Sequence, residues 1–535
     1  MRSGLTGLRG MAVGTLASRG TGFLRNAALA AVLGVTGVGA AFNVANTTPN
    51  IVYELLLGGI LTSVLVPVLV RAAKESDDDG QRYAQQLLTL VLVVLLAAST
   101  LLVLFAPQLV SLYAANASAD DQDLAVTLAR FFLPQMLFYG AGAVLGAVLN
   151  TRGSFTAPMW APVLNNVVVL STCALFLALP GTSPLRSGTI TTAQVLVLGL
   201  GTTLGIVAQT VALVPALRAV GFSFRPRWGL PGLGSIGRLA GWVLLYVAAN
   251  QAAYVVVVRL ANDDALNSIG RGYASYVNAF VLWQLPHAVV AVSIITALLP
   301  RLSRSAADGR IDDLRAQLQR GLRLTVSVLV PAAIGYLVLG RSLATVVFGH
   351  LRTTDQQARF IGVVLAVFAV GLVPFSVYQL QLRAFYALQD TRTPTLINLS
   401  VNATLVAVGL ALYAVLPTRL AVLGLAAGHA ASFTVGAVVC SQVLRRRIGD
   451  YGAALVVRTA VRALAACAAP ALLAAAAVWA AQRVLGAGQI GSLVGLLVGT
   501  ALLGGGYVLL AQRLRLVEVE QVAGPVLSRL GVRRS

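Results

Sequence analysis

The first apolar stretch of this 535-residue sequence carries two arginines six residues apart, Arg19 and Arg25. An arginine near the centre of a bilayer costs about 2.5–3.5 kcal/mol on insertion scales, so both need partners or a water-filled cavity. Glu54, the clearest acidic residue in an apolar segment, can pair with only one of them. The surplus charge predicts a cavity for an anion, above all a phosphate or diphosphate, which guanidinium groups bind in bidentate fashion. The alternative, snorkelling to the membrane border or capping a helix end, is what we expect for Arg130 and Arg259.

Polar side chains cluster in two apolar stretches, and both clusters are candidate walls of a substrate cavity. In one stretch, Glu54 is preceded by Asn43, Asn46, Thr47, Thr48 and Asn50 around Pro49. In the other, Pro286 is preceded by Tyr273, Tyr276, Asn278, Trp283 and Gln284. Such groups are costly against lipid, so we expect them to face a hydrated cavity where amides bind a sugar or peptide headgroup. The candidate substrate-binding residues are Arg19, Arg25, Asn46, Asn50, Glu54 and Gln284. Hydrogen bonding between packed helices is the competing explanation.

Composition places the whole chain in a membrane. It is 58% hydrophobic and 11% charged, with a mean hydropathy of +0.83, which leaves too little polar surface for a soluble globule. Apolar runs recur at the roughly 20 residues that one helical span requires, so we expect an all-α integral membrane protein with about 14 transmembrane helices. The expected spans are 9–34, 40–70, 84–112, 123–149, 155–180, 192–217, 237–262, 272–300, 316–348, 357–388, 394–416, 420–443, 457–483 and 489–512. Because Arg19 and Arg25 interrupt the first run, it differs from a cleaved signal peptide, and we expect the N-terminus to remain in the mature protein.

The distribution of charge predicts the orientation. Although the net charge is +21, most basic residues fall at the termini and in the loops after even-numbered spans. The positive-inside rule then puts both termini of this multi-pass membrane protein in the cytoplasm. The basic clusters 301–323 and 445–462 are expected to fix this orientation and to touch anionic lipid, and not to bind nucleic acid.

Nothing in the sequence is typical of catalysis. The three cysteines, Cys173, Cys440 and Cys467, and the three histidines are scattered without metal-ligand or redox spacing, and no phosphate-binding loop or nucleophile elbow is present. We therefore expect no enzyme activity, no metal and no cofactor. Transport would draw its energy from a coupling cation, Na+ or H+, or from the membrane potential.

Two stretches of the chain repeat about half a chain apart. Pro67-Val68-Leu69-Val70-Arg71 returns as Pro300-Arg301-Leu302-Ser303-Arg304. The segment from Pro134 to Asn150-Thr151-Arg152 returns from Pro374 to Asp390-Thr391-Arg392. Such a duplication is typical of a two-lobed transporter that holds its substrate between the lobes.

The duplication also predicts the domain organisation. Two pseudo-symmetric six-helix lobes, 1–222 and 237–450, are joined by a linker at 223–236. The last two spans, within 451–512, have no counterpart and are expected to be accessory, and 513–535 is a basic tail suited to lying on the inner membrane surface. Prolines inside spans can bend helices and so let one lobe rock against the other, or they can be tolerated without such a role, as membrane helices tolerate proline: Pro134, Pro158, Pro162, Pro286, Pro331 and Pro374.

Short motifs along essentially the whole chain match those of one known family. The first two spans carry Ser18-Arg19, Gly22-Phe23-Leu24-Arg25, Pro49-Asn50, Gly59 and Val66-Pro67. Span 8 carries Gln284-Leu285-Pro286 and Leu299-Pro300-Arg301-Leu302-Ser303, and span 10 ends in the most specific motif, Ala384-Phe385-Tyr386-Ala387-Leu388-Gln389-Asp390-Thr391-Arg392-Thr393-Pro394. Together these resemble the MurJ (MviN) lipid II flippases of the multidrug/oligosaccharidyl-lipid/polysaccharide (MOP) exporter superfamily.

The resemblance implies a central cationic cavity between two lobes, which moves undecaprenyl-diphosphate-linked disaccharide-pentapeptide (lipid II) outward by alternating access for peptidoglycan synthesis. Only Arg19 and Arg25 of the family's cavity charges carry over. Asn26 and Ala40 stand where the family has acids, and Tyr53 or Glu54 and Val281 stand where it has arginines. This pattern is similar to an actinobacterial branch of the family.

The resemblance also bears on coupling and partners. Sodium is linked to the second lobe in the family, and Asp390 is the candidate acid for ion coupling here, with a role at a helix end as the alternative. The expected partners are a lipid-linked anionic glycan precursor, membrane lipids, and proteins of cell-wall synthesis and division. The competing functions are a flippase for another polyprenyl-diphosphate-linked glycan, a cation-coupled drug exporter, and a non-transporting membrane scaffold of cell-wall synthesis.

Overall fold

A computed structural model of the chain describes residues 2–54, 69, 80–181, 185–229 and 237–519, and every regular element within these ranges is a helix. The expected fold class, an all-α membrane protein, is therefore confirmed. The chain separates into two compact units, Met1–Ala274 and Ser275–Ser535.

The helices are numbered in chain order. Those of the first unit are α1 (Arg2–Leu33), α2 (Gly37–Tyr53), α3 (Gln81–Leu104), α4 (Ala106–Ala114), α5 (Ala119–Phe132), α6 (Gln135–Thr151), α7 (Thr156–Ala178), α8 (Thr192–Val211), α9 (Val214–Ala219), α10 (Gly237–Ala261) and α11 (Asp264–Asn267). Helix α12 (Tyr273–Pro286) begins at the boundary. The second unit continues with α13 (Val292–Ala307), α14 (Ile311–Phe348), α15 (Asp355–Val370), α16 (Leu372–Ala387), α17 (Arg392–Val415), α18 (Ala421–Ile448), α19 (Ala453–Leu485) and α20 (Gln489–Arg513).

These helices account for the expected spans. Within the described ranges, eleven helical segments are long and apolar enough to cross a membrane, or twelve if the bent pair α15 and α16 is one span. The remaining two expected spans are the first, which coincides with α1, and the second, which begins with α2 and continues into residues outside the described ranges. Gly59, Val66, Pro67 and Arg71, which carried parts of the repeat and of the family motif, also lie outside them.

Several expected spans are broken, and the breaks lie beside prolines. Helix α5 gives way to α6 at Pro134, and α15 meets α16 at Gly371, three residues before Pro374, with a bend of 46°. The cause is the missing amide hydrogen of proline and the clash of its ring with the preceding turn. The prolines beside the two breaks are matched by the internal repeat, and the second break lies three residues before its proline.

The other prolines act differently. After Pro286, residues His287–Ala291 form a π-helical turn that leads into α13. Pro158 lies in the first turn of α7, where its missing donor is not needed. Pro162 and Pro331 lie inside α7 and α14, which continue unbroken past them.

The core of the first unit lies between α3 and α6. Leu95 of α3 and Met136, Val144 and Leu149 of α6 are completely buried there. Because lipid is as apolar as these side chains, their contacts stabilise the unit through close packing.

The second unit is built around α14, whose Leu314, Leu318 and Leu322 are buried. Helices α19 and α20, the pair without a counterpart in the repeat, pack on each other and on α14. The tail starts as a packed segment, since Leu516 and Val519 are buried in this same core and Glu518 forms an ion pair with Arg323. Residues 520–535 of the tail lie outside the described ranges.

Helix α10, which the repeat assigns to the second lobe, belongs to the first unit. The hydroxyl of Tyr254 on α10 lies 2.7 Å from that of Tyr273, which lies 2.9 Å from the Thr47 hydroxyl on α2. Just after α10, the Asp264 amide donates to the Asn116 carbonyl at 2.9 Å. The division into two lobes at 223–236 stays a prediction from the repeat.

Candidate functional site

Arg25 is a positive charge enclosed by neutral groups. Its Nη2 donates to Asn26 Oδ1 at 3.3 Å, and its buried Nε has no hydrogen-bond partner. The titratable groups that act on it are Tyr139 on α6 and Cys173 on α7, and phenols and thiols are uncharged at neutral pH. Among the described residues, no carboxylate pairs with this guanidinium.

Helix α1 is held in place beside α7. The buried amide of Asn166 on α7 donates to the Ser18 carbonyl at 3.2 Å and to the Thr21 hydroxyl at 2.9 Å. One turn earlier Gly14 lies so close to Trp160 that a Cβ at this position would come within 2.7 Å of the indole nitrogen. These contacts bracket Arg19, which is half-buried and makes no hydrogen bond or ion pair with any described residue.

The polar run on α2 divides into two groups. Thr47 bonds Tyr273 of α12, so the helix-packing explanation holds for this threonine. Thr48 is completely buried and donates to the Val44 carbonyl of its own helix, so it does not face water. Asn50 is exposed and donates to the Asn46 carbonyl at 2.8 Å, while Asn46 is half-buried. Asn46 and Asn50 therefore stay available as binding residues.

Glu54 follows α2 with an exposed side chain and pairs with neither arginine of α1. Instead, its neighbour Tyr53 reaches the Arg25 region, with its ring centroid 5.7 Å from that of Tyr139. The expected pairing of Glu54 with one arginine is not formed among the described residues.

A polar chain that the sequence analysis missed extends from Arg25 across the unit. The Tyr139 hydroxyl donates to Gln135 Oε1 at 3.4 Å, and Gln135 Nε2 donates to the Thr203 hydroxyl on α8 at 3.0 Å. Gln135 and Tyr139 lie one turn apart directly after Pro134, so they share one face of α6. That spacing of two polar side chains after a helix break is the signal that could have identified them.

The predicted wall on α12 is largely wrong. Tyr273, Tyr276 and Trp283 are at most 1% exposed, and Asn278 is also buried. Tyr276 and Trp283 pack into an aromatic core, because their rings carry much apolar area. Tyr273 instead lies in the first unit, beside the hydroxyls of Tyr254 and Thr47. Gln284 alone of this set is exposed, and it belongs to the second unit.

That aromatic core of the second unit surrounds Trp283 and His429. Tyr276 Oη lies 2.7 Å from His429 Nδ1, and His287 Nδ1 lies 2.8 Å from the Ser376 hydroxyl. The remaining rings in contact with these residues are Phe280, Phe368, Phe375 and Phe433. The Tyr276–His429 and His287–Ser376 pairs satisfy these polar atoms inside the packed region, whereas the buried Nε1 of Trp283 has no hydrogen-bond partner.

The other arginines within spans differ in their surroundings. Arg130 and Arg259 are exposed in the last turns of α5 and α10, as expected for residues at helix ends. Arg383 lies 5.7 Å from the ring centre of Tyr386 on its own helix, and its buried Nε, like that of Arg25, has no hydrogen-bond partner. The three cysteines are buried and free, which confirms them as packing residues.

Asp390 lies in the link between α16 and α17 and its carboxylate is fully engaged. It accepts hydrogen bonds from the Thr393 amide at 3.0 Å and hydroxyl at 2.7 Å, and it pairs with Arg447 of α18 at 2.8 Å. Burial would raise the pKa of Asp390, but the bonds from Thr393 and the charge of Arg447 outweigh it and hold the pKa below its usual value. These contacts favour the helix-end role, and ion coupling through Asp390 stays a prediction.

The sequence of this chain is similar to those of known lipid II flippases. The family model of lipid II flippase MurJ matches residues 29–499. A lipid II flippase MurJ of Burkholderia cenocepacia is 28% identical over 395 residues, which cover 72% of this chain and 74% of that protein. A probable lipid II flippase MurJ of Rhizobium tropici is 28% identical over 442 residues, which cover 81% and 79%.

Solved structures with the same fold include a lipid II flippase MurJ in an inward closed conformation, with a TM-score of 0.73 at 15% identity over 94% of this chain and 99% of that one. An inward-facing multidrug resistance MATE family transporter of the MOP superfamily aligns with a TM-score of 0.60 at 15% identity over 80% and 94%. The resemblance first drawn from short motifs is thus confirmed. Because the family match spans most of its length, this chain belongs to the MurJ family of lipid II flippases, multi-pass membrane proteins whose role is transport and not enzymatic chemistry.

Proposed function

We propose that this chain moves lipid II from the inner to the outer leaflet of the bacterial cytoplasmic membrane. The observation that carries the proposal is Arg25, a buried guanidinium without a carboxylate partner among the described residues of a chain that belongs to the flippase family. The diphosphate of lipid II would supply the missing negative charge.

The energetics favour a diphosphate as the ligand. A charged residue kept inside a membrane segment costs about 2.5–3.5 kcal/mol on insertion scales, so its retention calls for a compensating ligand or function. Charge-assisted bonds from guanidinium to phosphate are about twice as strong as neutral ones. In this proposal Arg25 and Arg19 bind the diphosphate, while the amides of Asn46 and Asn50 contact the sugar or peptide of the headgroup. Glu54, which is exposed after α2, would contact the headgroup as well, and Gln284, exposed on α12, stays a candidate that the sequence predicts.

The transport step would be alternating access, in which the headgroup crosses while the polyprenyl tail stays in the bilayer. The breaks at Pro134 and Gly371 lie beside prolines that the repeat matches and are the positions where we expect the helices to flex. The energy would come from the membrane potential, about 2.3 kcal/mol per charge per 100 mV, or from a coupled Na+ or H+.

The orientation follows from the basic loops. We propose that both termini lie in the cytoplasm, where the enzymes that make the lipid-linked precursor would deliver it. Proteins of cell-wall synthesis and division are the expected protein partners on both sides of the membrane.

The decisive experiment is depletion of the protein in its bacterial host, with a chemical assay for lipid II exposed on the outer face. Wild type should restore exposure, and Arg25→Ala should fail to restore it. Because Arg25 has no carboxylate partner among the described residues, this variant should accumulate and unfold thermally like wild type. Arg483→Ala is the matched control, since Arg483 is exposed near the end of α19, over the Trp479 ring, and should complement fully.

The outcomes separate the competing functions. Normal lipid II exposure during depletion would overturn the proposal and leave a scaffold or the export of another lipid-linked glycan. Full complementation by Arg25→Ala would leave the family function standing but remove Arg25 from the binding site.

A further inference from the structure

The segment 223–229, which we call the strap, lies along the first two turns of α3. Four hydrogen bonds fasten it: Gln81 Nε2 to Ser223 Oγ at 3.2 Å, Gln85 Nε2 to the Ser223 carbonyl at 2.6 Å, Gln86 Nε2 to the Trp228 carbonyl at 3.4 Å, and the Arg227 amide to Thr89 Oγ1 at 3.1 Å. The strap belongs to the segment that the sequence predicts to link the two lobes. Its described part is bound to a helix and is not a free tether.

The entry to the strap is equally fixed. Phe222 is buried in the core of the first unit, and the Arg152 guanidinium lies 5.8 Å from its ring centre. Arg152 also donates to the Val220 carbonyl at 2.8 Å. Gln85, the central anchor, is only 2% exposed. The strap therefore presents its outer side chains from a rigid base.

Those outer side chains are two aromatic rings with two arginines and a proline between them. Trp228 is 77% exposed and Phe224 is 43% exposed. Between them Arg225, Pro226 and Arg227 are exposed as well. Such a surface is poorly suited to water, because it leaves a whole indole ring uncovered.

The position of the strap on α3 places it at the membrane border. Beyond Thr89, the last residue that binds the strap, the exposed residues of α3 begin with Val93 and Val94 and are apolar except Thr100, whose hydroxyl donates to a carbonyl of its own helix. Four residues of helix span about 6 Å, so the strap ends about one turn before the surface that faces hydrocarbon. Tryptophan and arginine are the residues enriched at this depth of a bilayer.

We propose that the strap docks on anionic phospholipid, with Trp228 seated among the headgroups and Arg225 and Arg227 against lipid phosphates. The two positive charges select an anionic over a zwitterionic lipid, and the exposed indole provides the apolar contact. This lipid site lies outside the Arg25 region and does not rest on the transport proposal.

The test uses the full-length protein in lipid nanodiscs and bromine-labelled lipids, which quench nearby tryptophan fluorescence. The chain has five tryptophans, so the Trp228 signal is taken as the difference between wild type and Trp228→Phe. At equal mole fraction, brominated phosphatidylglycerol should quench this signal several-fold more efficiently than brominated phosphatidylcholine.

The two arginines should account for this preference. An arginine at an anionic surface is worth about fivefold in affinity, so Arg225→Gln combined with Arg227→Gln should bring the ratio of the two quenching efficiencies close to one. Salt at 1 M should lower the ratio in the wild type, because the screening length falls to about 3 Å.

Arg483→Gln is the matched control, because it removes another exposed arginine that lies beside a tryptophan, 4.5 Å from the Trp479 ring. It should leave the Trp228 ratio unchanged. Equal quenching by both lipids in the wild type would overturn the selection of anionic lipid. The absence of quenching by either lipid would overturn membrane docking and would leave the strap as a surface for a soluble protein.

Discussion

The surroundings of Arg25 in the first unit and of His429 in the second unit are opposite in character. Around Arg25 the polar contacts are long or missing, with 3.4 Å between Tyr139 and Gln135 and no partner for the buried Nε. Around His429 the hydrogen bond is short, with 2.7 Å from Nδ1 to the Tyr276 hydroxyl inside a shell of aromatic rings, although the buried Nε1 of Trp283 also has no hydrogen-bond partner.

The difference separates stability from function. A region of densely packed aromatic rings with short hydrogen bonds holds a fold together. An under-satisfied charge in a membrane contributes little to the fold and is retained for what it binds. We therefore expect substitutions around His429 to lower stability first and those around Arg25 to lower transport first.

The largest stability effect is expected for Trp283→Ala. Removing a fully buried indole leaves a cavity and should cost about 3–5 kcal/mol, measured as a lower thermal midpoint of the purified protein. Trp479→Ala is the control, since Trp479 is 60% exposed and its loss should cost about 0.5 kcal/mol or less. Equal losses in both variants would contradict the assignment of the aromatic core as the stabilising region.

A sharper comparison pairs two tyrosines. Tyr276→Phe leaves the buried His429 ring without its hydrogen bond and should cost about 1–3 kcal/mol. Tyr139→Phe removes a hydrogen bond of 3.4 Å, close to the outer limit of hydrogen bonding, and should lower the free energy of unfolding by only a few tenths of the loss in Tyr276→Phe. Both are measured in one detergent by thermal unfolding. A Tyr139→Phe loss as large as that of Tyr276→Phe would break the comparison.

The smallest effect is expected for Asp390→Asn. Its partner Arg447 is 49% exposed, so the ion pair should contribute below about 1 kcal/mol. Because the pKa of Asp390 is lowered in the folded chain, this contribution is present above the unfolded pKa near 4 and is lost as the pH falls through the folded value. The thermal unfolding midpoints of wild type and variant should therefore differ slightly at pH 7 and converge at strongly acidic pH. A wild-type midpoint that rises with Na+ at pH 7, and does not rise in the variant, would instead support ion coupling at Asp390.

The sequence predicted the helices well and the residues around the site less well. Hydropathy found the spans because any membrane helix must satisfy its backbone internally and expose apolar side chains. It joined α5 to α6 and α15 to α16 into single spans, because a break of one or two residues leaves the average hydropathy unchanged. The prediction that α12 forms a cavity wall was wrong for a related reason. A tyrosine that faces water and a tyrosine that is hydrogen-bonded in a core cannot be told apart in the sequence.

The sequence by itself determined that this chain crosses a membrane many times and that Arg25 lies in an apolar helix, since both follow from composition and order along the chain. Only the tertiary structure decided that Glu54 does not pair with Arg25, that Tyr276 forms a hydrogen bond with His429, and that glutamines of α3 bind the strap. Partners such as these are remote in the chain, and which of them meet is set by the packing of helices against one another.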